Sequence, residues 1–263
     1  MWYNISSVCI GRISERNIVK GAFKMKTILI IGAMEEEILP FVEEGGFEKK
    51  EETPYVYYVG RQEDTQLIIT VSNIGLVSMA SCVQHFITLV SHSPEFSEHH
   101  IDMVINMGVG GAISSGLEQG DIVVGERLCQ HDMDVTGLGY EIGLNPDYKS
   151  VFFEAAPEVI KRVKNAYDRL DTDYTLVVGT IASGDQFIAS KEKKEFIEDT
   201  FKADACEMEG AALAQVCDMN QVPFLVIRAI SDKADGNATL SYREFKDAAI
   251  QNLTRLVMEV VKE

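Results

Sequence analysis

From residue 27 onward, short apolar segments alternate with longer segments in which apolar residues recur at helical spacing. Continuous runs of apolar and β-branched residues predict buried strands, and two such runs joined by a short polar turn predict a hairpin. The predicted strands are 27–31, 55–60, 66–71, 103–106, 121–125, 174–180 and 223–227. The predicted helices are 35–41, 77–89, 155–170, 191–201, 210–219 and 242–262. This alternation favours an α/β fold, a three-layer α/β/α single domain with a mixed central β-sheet.

The domain is predicted to begin at residue 25. The residues before it are mostly basic where they are charged, and they lack the continuous apolar core of a signal peptide. We therefore predict a disordered N-terminal extension over 1–24 and one domain over 25–263, with no internal repeat or linker.

Composition narrows the possible partners. The formal net charge is -17, which argues against nucleic acid or an anionic membrane as a partner, because both attract clustered Lys and Arg. No stretch approaches the run of about 18 apolar residues that spans a bilayer. The 5 cysteines are scattered and lack CxxC spacing, so we expect reduced thiols in a cytoplasmic protein, without a metal site or a cofactor.

A glycine turn rich in acidic residues follows the first predicted strand. Gly32 ends the strand, and Glu35, Glu36 and Glu37 open the helix that follows. Acidic residues in a first helical turn commonly serve as partners of the helix dipole. At the end of a strand in an α/β sheet, however, such a turn is also a usual place for a ligand. A phosphate would be repelled here, so we expect the turn to handle water or a hydroxyl group.

Further polar or glycine-rich segments follow other predicted strands. They are a glycine-rich turn at 108–111, Phe187 with Ile188, the segment 207–209, and Arg228 with 231–232. Each has a structural explanation when taken alone, since glycines serve tight turns and acidic residues cap helices. Because ligands bind beyond the carboxyl ends of strands in α/β sheets, the segments together predict one site.

Five motifs, in order along the chain, give these segments a more specific meaning. They are IGAMEEE (31–37), HDxDVTxxGY (131–140), SGDxFI (183–188), EMEGAA (207–212) and RAISDxAD (228–235). With them the chain resembles the 5'-methylthioadenosine/S-adenosylhomocysteine nucleosidases, within the wider purine nucleoside phosphorylase-like family. The resemblance runs from Met25 to the C-terminus and implies a hydrolase that releases adenine from 5'-methylthioadenosine and S-adenosylhomocysteine.

The resemblance implies an acid and a base at the cleaved bond. An oxocarbenium-like transition state needs an acid for the leaving group and a base for water. Asp232 would protonate the five-membered ring of adenine, and Ser231 would orient its carboxyl group. Such an acid must be protonated at neutral pH, which requires a raised pKa or a proton shared with the base. Glu37 would hold and activate the attacking water, with Arg228 nearby in the same polar network.

The same resemblance implies contacts with the sugar and the base. Glu209 would accept hydrogen bonds from the ribose hydroxyls, and Met208 would line the sugar. Phe187 would stack on adenine, and the main chain of Ile188 would read its Watson-Crick edge, because an amide group both donates and accepts.

The 5' end of the substrate would lie against apolar residues. Met34 and Ile74 would line the thioether, and Tyr242 would cover it as part of a mobile C-terminal lid. Gly110 of the glycine-rich turn and Glu207 of the EMEGAA motif complete the predicted substrate site.

Some positions depart from the family pattern. Val109 stands where the family often has a serine, and Leu138 stands where relatives often have an aromatic residue that reaches a neighbouring subunit. Val135, Leu138 and Pro146 nevertheless remain apolar. The resemblance thus implies a homodimer in which each subunit completes the thioalkyl pocket of the other.

Three alternatives stay open at this stage. A phosphate-dependent purine nucleoside phosphorylase would need cations at an anion site, which the acidic turn argues against. A nucleosidase for another 5'-substituted adenosine, such as aminofutalosine, would share the base and ribose contacts. A nucleoside-binding protein without catalysis would not need Glu37, Glu209 and Asp232 together.

Overall fold

A mixed ten-stranded sheet forms the centre of the molecule. The computed structural model describes residues 26–52, 54–96, 99–235 and 238–263, so the predicted extension over 1–24 lies outside the described residues. The strands are β1 (Lys26–Gly32), β2 (Glu48–Glu52), β3 (Tyr55–Gln62), β4 (Thr65–Val71), β5 (Met103–Ala112), β6 (Ile122–Gln130), β7 (Phe153–Glu154), β8 (Leu176–Ser183), β9 (Ala205–Glu207) and β10 (Phe224–Asp232).

Six α-helices cover the sheet within the described ranges. They are α1 (Glu35–Gly45), α2 (Leu76–His92), α3 (Pro157–Asp168), α4 (Lys191–Phe201), α5 (Gly210–Asn220) and α6 (Ala238–Val261). Tyr57 of β3 packs on Phe86 of α2, whereas a side chain at Gly60 would meet Phe47, just after α1. Residues three apart on a strand face opposite ways, so α1 and α2 lie on opposite faces. The predicted α/β fold with a mixed sheet is confirmed.

Part of the sheet closes on itself. β10 pairs with both β5 and β6, and β9 pairs with both β5 and β8. The ring β5-β10-β6-β8-β9 is completed by the parallel pairing of β6 with β8. From β5 the sheet continues as an open layer through β1, β4, β3 and β2. Because β1, β4, β5 and β10 run parallel, their carboxyl ends meet at one edge.

The predicted strands supply a large part of the buried core. Residues 28–31 of β1 are fully buried, as are 225–227 of β10. Short continuous apolar runs of this kind are typical of strands covered on both faces. Among the described residues, none of the helices is long and apolar enough to cross a membrane.

Several local predictions were wrong. The glycine-rich segment 108–111 is not a turn but the second half of β5, and 228–232 belongs to β10 rather than following it. The charged strand β2 was not predicted, since its sequence Glu-Lys-Lys-Glu-Glu lacks an apolar face. The last helix begins at Ala238 instead of Tyr242, so Tyr242 lies within its first turns.

Candidate active site

A cavity of about 350 Å³ lies at the edge where the parallel strands end. It is lined by Ala33, Met34, Glu37, Ile74, Val109, Gly110, Gly111, Gln186, Phe187, Ile188, Cys206, Glu207, Met208, Glu209, Ser231, Asp232 and Tyr242. All the predicted site residues are in this set except Arg228, Val135, Leu138 and Pro146. A concave site of this size, mostly apolar with a few convergent polar groups, is typical of small-molecule binding.

Glu37 is held between the start of α1 and the middle of β5. Its Oε2 accepts hydrogen bonds from the backbone N–H groups of Ala33 at 2.7 Å and Met34 at 3.0 Å. Its Oε1 accepts one from Val109 at 3.1 Å. Burial raises the pKa of Glu37, although the charge of Arg228 and these three N–H groups oppose the increase. The carboxyl group is therefore fixed in position and has a proton affinity above that of an exposed glutamate.

Gly108 makes that position of Glu37 possible. A Cβ at this residue would lie 2.5 Å from Glu37 Oε1, which is too close for any side chain. The glycine in β5 therefore serves the close approach of a carboxyl group to the strand, a recognised reason for glycine inside strands.

Asp232 ends β10 and is almost completely buried. Its Oδ2 accepts a hydrogen bond from Ser231 Oγ at 2.9 Å, and its Oδ1 accepts one from the backbone N–H of Ala234 at 2.8 Å. Burial raises the pKa of Asp232, and the two hydrogen bonds oppose the increase. The carboxyl group lines the cavity in a setting that favours its protonated form.

Arg228 lies behind the cavity, in a buried network with acidic and amide groups. It donates hydrogen bonds to Glu207 Oε2, to the backbone oxygens of Asn106 and Ile227, and to Asn106 Oδ1. Arg228 Nη2 also lies 3.8 Å from Glu209 Oε2. The guanidinium group acts on Glu37 through its charge, while its hydrogen bonds hold Asn106 and Glu207. Arg228 therefore neutralises part of the acidic cluster.

Glu207 caps the start of α5. Its carboxylate accepts hydrogen bonds from the backbone N–H groups of Glu209 and Gly210 and from Ser183 Oγ. Ser183 Oγ in turn accepts one from the backbone N–H of Ala211 at 2.7 Å. Helix N-termini leave N–H groups that such side chains satisfy. Glu207 thus fixes the β9–α5 junction that places Met208 and Glu209 in the cavity.

Glu209 joins the cavity to the start of α2. Its Oε1 accepts a hydrogen bond from the backbone N–H of Gly75 at 2.8 Å. Burial and the neighbouring Glu207 raise the pKa of Glu209 to about 7, against the opposing charge of Arg228. The first N–H of α2, on Leu76, donates to Asp185 Oδ1 at 2.8 Å. Two carboxyl groups therefore cap a helix whose own N-cap is Gly75.

Aromatic and apolar side chains close the open side of the cavity. The rings of Phe187 and Tyr242 meet edge to face, with centroids 6.2 Å apart. Tyr242 Oη donates to Met34 Sδ at 3.6 Å. Phe187 and Ile74 are about half exposed, whereas Ile188 is buried. The mouth of the cavity thus presents large apolar surfaces to an incoming molecule.

The predicted residues of the segment 135–146 lie away from this cavity. Leu138 is 76% exposed, Val135 is half-buried and Pro146 is exposed. None of the three lines the cavity of its own chain. The homodimer prediction places them in the cavity of the other subunit, and it stays a prediction.

Two polar residues that hold the site were not predicted as site residues. Asn106 Nδ2 donates to the backbone oxygen of Ile31 at 3.0 Å, and its other atoms accept from Arg228. The available signal was a single amide residue at the end of the apolar run 103–105. Ser183 lay inside the SGDxFI motif without an assigned role. Among the described residues, no group of three or more His, Cys, Asp and Glu could hold a metal ion.

Comparison with known proteins places the chain in a family. The family model described as the phosphorylase superfamily matches residues 27–262. The 5'-methylthioadenosine/S-adenosylhomocysteine nucleosidase of Staphylococcus saprophyticus is 34% identical over 89% of this chain and 98% of its own length. The aminodeoxyfutalosine nucleosidase of Helicobacter pylori strain J99 is 35% identical over 91% of this chain and 100% of its own length.

A solved structure agrees with these matches. The 5'-methylthioadenosine/S-adenosylhomocysteine nucleosidase of Neisseria meningitidis, in complex with methylthio-immucillin-A, superposes with a TM-score of 0.82 at 35% identity. The superposition covers 90% of this chain and 99% of that one. The chain belongs to the phosphorylase superfamily.

Proposed function

We propose that this protein hydrolyses the N-glycosidic bond of 5'-methylthioadenosine and S-adenosylhomocysteine, releasing adenine and the thioribose product. Relatives named for this activity cover most of the chain at about one-third identity. The observation that carries the proposal is the pair of buried carboxyl groups, Asp232 and Glu37, in one nucleoside-sized cavity.

The charges of the cavity favour water over phosphate as the nucleophile. Its described lining includes Glu37, Glu207, Glu209 and Asp232 but neither lysine nor arginine. Arg228 lies behind these groups and donates to Glu207 and Asn106. A phosphate dianion needs cations or a set of N–H donors. Hydrolysis is thus the better match to the site than phosphorolysis.

Asp232 is the proposed general acid. Burial raises the pKa of Asp232. At a given pH near neutrality, Asp232 is therefore protonated in a larger fraction of molecules than an exposed aspartate would be. That proton passes to the five-membered ring of adenine as the bond to the sugar breaks. Ser231 and the N–H of Ala234 hold the two oxygens, so the proton donor keeps one orientation.

Glu37 is the proposed base. Three backbone N–H groups fix both carboxylate oxygens, which leaves the remaining lone pairs to orient a water molecule. The water attacks the anomeric carbon and gives a proton to Glu37. Glu209, also buried and acidic, is suited to the ribose hydroxyls and to the positive charge that develops on the sugar.

The walls of the cavity match the rest of an adenosine thioether. Phe187 offers a ring for stacking on adenine, and the main chain of Ile188 offers a donor and an acceptor for its edge. Met208 borders the sugar. Met34, Ile74 and Tyr242 form an apolar region for the 5' sulfur and its substituent.

The direct test is incubation with 5'-methylthioadenosine in phosphate-free buffer, with adenine release followed by chromatography. We expect complete release without phosphate and no stimulation when phosphate is added. Release that depends strictly on phosphate would replace the hydrolase with a phosphorylase.

A second candidate substrate is aminodeoxyfutalosine. A Helicobacter pylori relative that is 35% identical carries the name aminodeoxyfutalosine nucleosidase. The proposed acid, base and ribose contacts are indifferent to the 5' substituent, so the reaction would be the same. Values of kcat/KM for the three nucleosides, measured side by side, decide which is preferred.

We also propose that the protein acts as a homodimer. The exposed apolar residues Leu138 and Tyr140 do not line the cavity of their own chain. In a two-fold dimer the same residues of the partner can approach the 5' end of the site.

A further inference from the structure

A second and larger cavity adjoins the proposed active site. Its volume is about 660 Å³, and it shares Ala33, Met34 and Ile74 with the first cavity. Two of these shared residues, Met34 and Ile74, border the proposed 5' end of the substrate. A 5' substituent longer than a methylthio group would therefore pass between them into the second cavity.

The walls of the second cavity carry opposite charges. Lys49 of β2 and Glu35 of α1 both line it, together with the polar side chain of Asn73. Lys49 pairs with Tyr58 across β2 and β3, and paired residues share a face of the sheet. Tyr58 also lines the cavity. The register of β2 therefore directs Lys49 to this space and Lys50, the next residue, to the other face.

We propose that the second cavity binds the α-amino acid end of a 5' substituent, with Lys49 contacting its carboxylate and Glu35 its ammonium group. This inference rests on the proposed function and names the substrate feature that the site distinguishes. The zwitterionic homocysteine end of S-adenosylhomocysteine has this chemistry, whereas the methyl group of 5'-methylthioadenosine lacks it.

The existing partner of Lys49 does not prevent such a contact. Lys49 Nζ lies 2.7 Å from Glu51 Oε1, and its side chain is 52% exposed. A lysine ammonium group has three donors, so it can contact a second carboxylate while keeping the first. Glu35 lies in the first turn of α1, where it faces the same cavity.

The test compares S-adenosylhomocysteine with 5'-methylthioadenosine in Lys49→Met. We expect the ratio of their kcat/KM values to fall about two- to fivefold, the range for a partly exposed charge contact. Lys49→Arg should restore most of the ratio because it keeps the charge. Added salt should lower the wild-type ratio, since exposed charges are screened.

Lys50→Met is the matched control. Lys50 is the neighbouring lysine, paired with Glu48 and Glu95, and it does not line the cavity. Its loss should leave the ratio unchanged. An equal ratio in Lys49→Met and the wild type would overturn the proposal.

Glu35→Gln separates a zwitterion from a simple acid. We expect it to lower kcat/KM for S-adenosylhomocysteine relative to aminodeoxyfutalosine, whose 5' substituent bears a carboxylate without an α-ammonium group. If Lys49→Met and Glu35→Gln affect only aminodeoxyfutalosine, the zwitterion assignment is wrong.

Failure of the proposed function remains distinguishable from failure of this inference. An absence of adenine release from all three nucleosides would refute the function. Calorimetric binding of the nucleosides to Asp232→Asn, with and without Lys49→Met, measures the same selectivity without turnover.

Discussion

At the scale of single residues, the site depends on carboxyl groups that are buried but hydrogen-bonded. Glu37 accepts from three backbone N–H groups, Asp232 from one N–H group and a hydroxyl, and Glu209 from one N–H group. Burial raises the pKa of each, and these bonds limit the increase. The competition leaves each carboxyl group with a pKa above that of an exposed side chain while the hydrogen bonds fix its position.

Asp232→Asn should abolish the acid step. The amide keeps the size of the side chain but has no proton of suitable acidity for the departing adenine. We expect kcat to fall about 10²- to 10⁴-fold, the usual contribution of a general acid, while binding measured by calorimetry changes little. Asp64→Asn, on the β3–β4 turn, is the control. Normal turnover in Asp232→Asn would remove this residue from the mechanism.

Glu209 links the pH to the stability of the fold. Burial raises its pKa to about 7 in the folded protein, from the 4.5 of an exposed glutamate, so the folded state holds the proton more tightly. The resulting stabilisation is complete below the lower value and is lost as the pH rises through 7. This pKa difference corresponds to about 3 kcal/mol of folding free energy.

Glu209→Gln, which stays neutral, should therefore gain stability relative to the wild type between pH 5 and pH 8. The measurement is the Tm of both proteins across this range. A difference in Tm that stays constant with pH would contradict the expectation.

At the scale of elements, the contact between α1 and β5 determines where Glu37 lies. The helix brings the carboxyl group against the strand, and Gly108 leaves room for it. The strand character of this segment could not be predicted from its glycines, which are equally typical of turns. It arises because 108–111 pairs along its length with β10, whose residues Ile230 and Asp232 lie opposite Gly110 and Gly111, and because Gly111 also pairs with β9.

Gly108→Ala should disable the site while leaving the fold intact. The new Cβ would lie 2.5 Å from Glu37 Oε1, so the carboxyl group must move from its N–H donors. We expect kcat to fall at least about tenfold, as for a misplaced catalytic group. Gly116→Ala, where a Cβ meets nothing within 4 Å, is the matched control. Equal activity of the two variants would show that this contact is unimportant.

At the scale of the whole molecule, the segment 131–146 is the part that the single chain leaves unexplained. Leu138 is 76% exposed and Tyr140 is 43% exposed. The net charge of the protein is -17, so apolar groups that are exposed close together stand out on its surface. A single exposed apolar residue is ordinary, whereas a cluster of them indicates an interaction surface.

Leu138→Asp should weaken the proposed homodimer. A charge at the centre of an apolar contact is costly to bury, so we expect a larger monomer fraction in analytical ultracentrifugation. We also expect a lower kcat/KM for 5'-methylthioadenosine, since the partner loop would no longer complete the site. Met219→Asp, exposed on α5, is the control. A variant that remains a dimer with normal kcat/KM would exclude Leu138 from the contact.

The sequence alone determined the alternation of strands and helices and the identity of the main polar residues. Local patterns suffice there, because apolar runs such as 28–31 and 225–227 report burial directly. The motif around Asp232 likewise identified Ser231, its hydrogen-bond partner, because the two are adjacent in the chain.

Only the tertiary structure decided which groups meet across long separations. Arg228 with Asn106, Glu209 with Gly75, and Glu37 with Val109 are more than 70 residues apart in sequence. These contacts follow from the order of the strands, from the closed ring β5-β10-β6-β8-β9, and from the register of each strand pair. The alternation of apolar and polar residues in a strand indicates which face of the sheet a residue occupies. It does not indicate which residue of the adjacent strand lies beside it.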